Sequence, residues 1–302
     1  MLNIKYWIIA FLIAGGFCAW TATAQISEDE ERDTDVETSE DEEMIEEETD
    51  GEKVHFSLWG EAYDESTVSQ RDRSNLNSYS HIRQGFNLNG YGVTLQTYLF
   101  FRYGKDLKRD FWNNRLEVGI GIRSRFFERI FLALFAESLR GSYNDIPEEY
   151  PQPEDKKYTD FRSGLIFWYG WDTYYEPSKW FMLPLIFWGE IYGDFIYYRR
   201  DSDNTIGYLQ AKMGFHFLRL WTVSVDGYAV TYLIKDKNGD FWNNYAEFGP
   251  GIWLQPLPDL DLKFYIEWLQ GNYFGIEQPD DPNPNPQHYH DRKIGILFWF
   301  GW

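Results

Sequence analysis

The sequence predicts an all-β protein: a transmembrane antiparallel β-barrel of about twelve strands, made from two six-stranded repeats. Three observations predict it. Aromatic residues make up 20% of the chain, yet the mean hydropathy is −0.52. Period-two alternation of apolar and polar residues recurs in segments of about ten residues, the length that crosses a bilayer at a tilt. The second half of the chain also repeats the first at an offset of 129 to 131 residues.

The N-terminus comes first. Lys5 precedes the apolar run Tyr6 to Ala14, and Ala22-Thr23-Ala24 offers small residues for cleavage before Gln25. Residues 1–24 therefore read as a secretory signal peptide. Gly15, Gly16 and Thr21 cut the run short of the roughly 20 residues that a spanning helix needs. Cleavage there removes Cys18, the only cysteine, and with it thiol chemistry and any Cys-based metal site. Residues 25–53 read as a disordered acidic periplasmic tail. Positions 27–52 carry 16 Asp and Glu against Arg32, which accounts for most of the net charge of −20. Such a stretch lacks the apolar surface to offset the entropy of folding. From Lys53 onward the balance is 26 Lys and Arg against 32 Asp and Glu, so no basic surface for nucleic acid is present.

Residues 54–302 carry the duplication. Leu58-Trp59-Gly60-Glu61-Ala62-Tyr63 recurs as Phe187-Trp188-Gly189-Glu190-Ile191-Tyr192, and Asp110-Phe111-Trp112-Asn113-Asn114 as Asp240-Phe241-Trp242-Asn243-Asn244. Repeat 1 spans 54–171, with strands expected near 54–64, 79–89, 91–104, 111–126, 129–142 and 159–171. A linker at 172–180 leads to repeat 2, 181–302, with strands near 181–199, 205–217, 220–234, 241–255, 260–273 and 292–302. Leu116, Val118, Ile120 and Ile122 alternate with Arg115, Glu117 and Arg123; Leu262, Phe264, Ile266 and Trp268 alternate with Asp261, Lys263 and Glu267. Polar gaps at Asp64–Ser78, Ser142–Tyr158 and Phe274–Asp291 read as long external loops. Asn89-Gly90, Phe127-Glu128 and Leu218-Arg219 read as tight turns, and Pro250 as a bulge. An open sheet leaves two unpaired edges in lipid, so the repeats should close together. Lys293, Gly295, Phe298, Phe300 and the terminal Trp302 match the insertion signal of outer-membrane barrels, recognised by the barrel-assembly machinery. The expected location is the outer membrane of a Gram-negative bacterium, with outer-membrane lipid as the surrounding partner.

Candidate sites lie on the lumenal parity. A hairpin centred at Phe127 would set Glu117 opposite Glu137, and one centred at Leu257 would set Glu247 opposite Glu267. Like charges facing across strands need a counter-charge, a shared proton or a cation; Arg115, Arg123 and Lys263 are the candidate counter-charges. A lumenal salt-bridge network is the leading reading, a cation or ligand site the alternative. At the mouth, Trp112, Asn113, Asn114, Trp242, Asn243 and Asn244 form either strand-start chemistry within an aromatic girdle or a surface for sugar hydroxyls. His288 and His290 fall in a Pro-rich loop. No nucleophile–base pair, phosphate loop or zinc motif is present in the sequence, so no enzyme activity, cofactor or metal is expected.

The stretch Glu117-Val118-Gly119-Ile120-Gly121-Ile122-Arg123, with Ala136-Glu137-Ser138-Leu139-Arg140-Gly141-Ser142-Tyr143, resembles the C-terminal barrel of bacteriophage adsorption protein A. The second copy departs from it at Pro250 and at Trp253, which stands where Arg123 does. The resemblance implies exopolysaccharide export or phage attachment. The functional expectation is a transport or export channel for polysaccharide or small hydrophilic solutes, with a polysaccharide or periplasmic export partner. The alternative is a non-conducting surface barrel whose loops bind a partner in adhesion or as a phage receptor.

Overall fold

The computed structural model describes residues 54–302 apart from 72–74, 91, 108–112, 128–129, 145–154, 176–184, 221–222, 240–242, 257–260 and 275–287. The expected signal peptide, acidic tail, Trp112, Trp242 and most of the two Pro-rich loops lie outside the described residues. Twelve strands form: β1 His55–Ser69, β2 Asn75–Gly90, β3 Val93–Asp106, β4 Arg115–Arg125, β5 Phe131–Tyr143 and β6 Lys157–Tyr175, then β7 Leu185–Tyr198, β8 Asn204–Leu220, β9 Val223–Asp236, β10 Tyr245–Gln255, β11 Asp261–Tyr273 and β12 His288–Gly301. Each pairs antiparallel with its neighbours in the chain, and β1 pairs with β12, so the sheet closes without an edge.

Alternation decides which side chain goes where. On β4 Val118, Ile120 and Ile122 are exposed on the outer surface, whereas Glu117 and Arg123 are buried inside. On β10 Phe248, Ile252 and Leu254 point out, and Glu247 and Trp253 point in. The outside is thus an apolar belt, and the inside holds charges and aromatic rings. This inversion of a soluble protein suits a hydrocarbon surround.

Several expectations are corrected. β1 runs on to Ser69 and β2 starts at Asn75, so the Asp64–Ser78 segment is mostly strand. Apart from the outward pair Val68–Leu76, both faces of that extension are polar, with Asp64 and Ser66 outside and Glu65 and Thr67 inside, so alternation gave little signal there. His288 and His290 belong to β12 rather than a loop. Pro250 makes no bulge. The β10–β11 register is the same on both sides of it, and only the pairs at Gly249 and Pro250 are missing. The register shift falls instead between His216 and Leu218 on β8.

The hairpin registers differ as well. Glu117 faces Gly141, four residues beyond Glu137, and Glu137 faces Gly121. Glu247 faces Gly271, and Glu267 faces Gly251. No glutamate sits directly opposite another in either hairpin. The reason is side-chain complementarity in the lumen.

Candidate functional site

Four three-residue rows organise the lumen. Glu117 on β4 faces Gly141 on β5, which faces Tyr158 on β6. The Tyr158 ring lies over the glycine where a Cβ would overlap it, and its hydroxyl donates to Glu117 Oε1 at 2.8 Å. Tyr98 crosses Gly121 in the same way and donates to Glu137 Oε1 at 2.9 Å. In the second half Tyr289 crosses Gly271 to Glu247 at 2.9 Å. Tyr228 crosses Gly251 to Glu267, also at 2.9 Å. A residue larger than glycine would displace the ring and leave a buried carboxylate short of a donor. These rows fix the register that the turn residues alone did not reveal.

The counter-charges differ between the halves. Arg162 donates from Nη1 and Nη2 to Glu117 at 2.9 and 2.5 Å, the bidentate geometry that a guanidinium prefers. Arg102 Nη2 lies 2.6 Å from both oxygens of Glu137, and Arg83 Nη2 is 3.8 Å from it. Arg115 reaches Glu117 only at 3.7 Å, while Arg123 serves Gln96 at 2.6 Å and Glu61 at 3.7 Å. Lys263 pairs with Asp261 and sits 4.5 Å from the Trp253 ring centre. The cations that matter most, Arg102 and Arg162, are therefore not the ones singled out from the sequence.

In the second half Lys293 holds Glu247 at 2.5 Å, and Arg71 approaches it at 3.4 Å. Glu267 has no cation within ion-pair distance among the described residues; Tyr228 and Tyr232 donate to it instead. Tyr232 stands where Arg102 does in the first half and Trp253 where Arg123 does, 130 residues on in each case. Lys293, expected as part of a terminal insertion signal, thus has a lumenal partner.

These groups fill the space. Glu117, Glu137, Glu247 and Glu267 are at most 1% exposed, and Arg102, Arg123 and Arg162 at most 6%. In an open, wetted lumen they would be among the most accessible side chains. Trp59, Tyr98, Phe100 and Leu139 pack together in one half, and Trp188, Tyr228, Val230, Tyr232, Trp253 and Leu269 in the other. Trp188 stacks on Trp253 with centroids 4.3 Å apart. Tyr63 with Tyr79, and Tyr192 with Tyr208, form two further lumenal ring pairs, their centroids 6.2 and 5.8 Å apart.

Two arginines that the sequence reading passed over stitch the junctions between the halves. Arg71, just after β1, stacks on Tyr245 at 4.4 Å and Tyr289 at 5.0 Å, and Nη1 donates to the Tyr289 hydroxyl at 2.7 Å. Arg200, just after β7, lies 3.9 Å from the Tyr158 ring centre and donates to the Tyr143 hydroxyl. Burial works against the charge of Arg71, but Tyr245 and Glu247 outweigh it and hold its pKa above the ordinary value. At Arg200 burial, with Arg115 nearby, leaves it below; both remain cationic. The opposite ends of the same junctions also match, with the Trp302 indole over Gly60 and the Trp171 indole over Gly189.

At the loop end, Asn114 and Asn244 are fully buried. Their Oδ1 atoms accept from the backbone N–H of Asp106 at 3.1 Å and of Asp236 at 3.3 Å. Asn113 and Asn243 donate to the same two aspartates at 3.0 and 3.2 Å. These amides tie the β3–β4 and β9–β10 connections to their strands. No group of three or more metal-ligating side chains occurs among the described residues.

No family model matches the chain, and no curated protein matches it. Among solved structures it is similar to the beta domain of the Bordetella autotransporter Brka, at 12% identity over 80% of this chain and 98% of that one, with a TM-score of 0.37. The translocator domain of the autotransporter NalP from Neisseria meningitidis is 12% identical over 80% and 88% of the two chains, with a TM-score of 0.29. OmpT, an outer membrane protein of Vibrio cholerae, is 8% identical over 81% and 97%, with a TM-score of 0.27. Likenesses this distant say nothing about activity, which rests on the geometry of the chain itself.

Proposed function

We propose that this protein is an outer-membrane β-barrel whose lumen is closed by its own side chains and whose working surface is the loop end, where it binds a partner at the cell surface. One observation carries the reading: the lumenal carboxylates and guanidiniums are buried in an Arg–Glu–Tyr network instead of facing water. The apolar belt supports the membrane setting. The closed sheet supports it too, because every one of the twelve strands is paired on both sides.

A second reading, a gated channel exporting a polysaccharide, is favoured by a different feature. Tyr63 with Tyr79, and Tyr192 with Tyr208, are half-buried lumenal ring pairs. Aromatic faces with hydroxyl edges suit sugar rings. Planar-bilayer recording of the purified, folded barrel separates the two. The closed-barrel reading expects no steady conductance across the usual voltage range. A stable open state that added polysaccharide blocks would overturn it in favour of export.

A further inference from the structure

The outer face of β5–β8 carries an arrangement that the lumen does not explain. Arg140 on β5, Lys157 on β6 and Arg199 just after β7 all have outward parity and are exposed. None has an ion pair among the described residues. On the β6 ladder Ser142 faces Lys157, Thr159 faces Arg140, and Phe161 lies beside Arg199. Measured along β6 they stand level with residues 157, 159 and 161, a span of about 13 Å. Arg140 and Lys157 are diagonal neighbours roughly 7–8 Å apart, and Arg199 lies across β6 from Arg140. Arg140, Lys157 and Thr159 border a shallow hollow of about 510 Å³ with one acid, Asp155; it also touches Gly141 and Tyr158, whose side-chain parity is lumenal, and Arg199 lies outside it. A second hollow, about 410 Å³, lies on the same wall nearer the turn end, lined by Leu134, Ser163, Leu165, Phe195, Tyr197 and Thr205 among others. From Thr159 in the first to Ser163 in the second is four residues of strand, about 13 Å.

A cationic hollow above an apolar furrow, both facing lipid, has the shape and charge of an amphiphile with an anionic head. We propose that this wall binds a phosphorylated, multiply acylated lipid of the outer leaflet. One phosphate sits on Arg140 and Lys157, a second anionic group of the head meets Arg199 farther along β6, and one acyl chain lies in the furrow between Leu165 and Phe195. Phosphate suits the site because guanidinium groups bind its oxygens in a fork and the ammonium adds a point charge. The Asp155 carboxylate disfavours a second anion on its side and leaves the cation-lined side for the head group. The proposal rests on the membrane-spanning reading above.

The test is native mass spectrometry of the full folded barrel in detergent with bisphosphorylated lipid A, lipid A of the same acyl content without phosphate, or inorganic phosphate. The wild type should retain bisphosphorylated lipid A, with roughly tenfold or greater weakening when the phosphates are removed. Arg140→Gln/Lys157→Gln/Arg199→Gln should weaken it to the same extent, and Ser163→Phe, which fills the furrow and keeps the charges, should also reduce it. Arg292→Gln, an exposed cation on β12, should leave it unchanged. Equal retention by the triple variant, equal retention of the dephosphorylated lipid, or inorganic phosphate competing as well as the lipid would each overturn the proposal. Insertion into vesicles, followed by heat-modifiable gel mobility, is read separately. A barrel that does not insert refutes the membrane reading; one that inserts without lipid preference refutes only this site.

Discussion

Replacing Glu137 and Glu267 by glutamine, one at a time, should have unequal consequences although the two occupy equivalent places. Glu137 takes Arg102 at 2.6 Å on both oxygens, with Arg83 at 3.8 Å. Removing its charge leaves a buried guanidinium without its main anion, and breaking one side of such a pair costs about 3–5 kcal/mol. Glu267 is held by the hydroxyls of Tyr228 and Tyr232. A glutamine keeps an acceptor for them and strands no cation, so the loss should be about 1 kcal/mol, that of a weakened hydrogen bond. Equilibrium unfolding in denaturant of each variant refolded into lipid vesicles, followed by tryptophan fluorescence, measures both. The midpoint for Glu137→Gln should fall well below that for Glu267→Gln, with slopes unchanged. Equal midpoints, or a larger loss at Glu267, would refute the claim that arginine pairing distinguishes the halves.

Other outcomes follow from the same rows and junctions. Gly121→Val places a branched side chain against the Tyr98 ring and should prevent the folded form on a heat-modifiable gel. Gly207→Ala, which meets only ordinary contacts, should fold. Tyr158→Phe should cost about 1 kcal/mol for the hydroxyl, and Tyr158→Ala about 3–5 kcal/mol because the ring itself is lost, both read from unfolding midpoints. Arg71→Ala and Arg200→Ala should each cost about 1–2 kcal/mol and open the β1–β2 and β7–β8 connections to added protease. Their cages share no residue, so the double variant should show nearly the sum. Glu117→Gln should lower stability through Arg162; unchanged folding, conductance and ligand binding would remove any role for Glu117 beyond filling space.

The architecture was legible because it is written in period-two alternation over segments long enough to count, and because segments such as Leu58–Tyr63 recur in similar form at Phe187–Tyr192. What stayed hidden has physical causes. Apart from Val68, the last third of β1 is polar on both faces, so too little alternation marks it. Hairpin register was inferred from turn residues, whereas it is set by rings lying over Gly121, Gly141, Gly251 and Gly271, contacts that span three strands. Aromatic residues suggest a lipid-facing side by default, which concealed Tyr98, Phe100 and Trp253 inside. Arg102 shares the lumenal parity of Gln96 on β3, but its partner depends on the register. Arg71 and Arg200 lie 129 residues apart, so extending the repeat past Tyr63 and Tyr192 was the signal that could have found them.

The two junction arginines also bear on how the barrel assembles. Arg71 comes from the first six strands but finds its aromatic seat on β10–β12; Arg200 comes from the second six and finds its seat on β5 and β6. Neither half can complete its own loop end, so a half formed early gains little until the other arrives. Closure then becomes the cooperative step, and a stalled six-strand intermediate is left with an unseated arginine and a vacant tyrosine seat. Such a fragment is complementary to a second copy of the missing half. Two six-strand chains supplied separately would therefore be expected to recombine into one barrel rather than persist as open sheets.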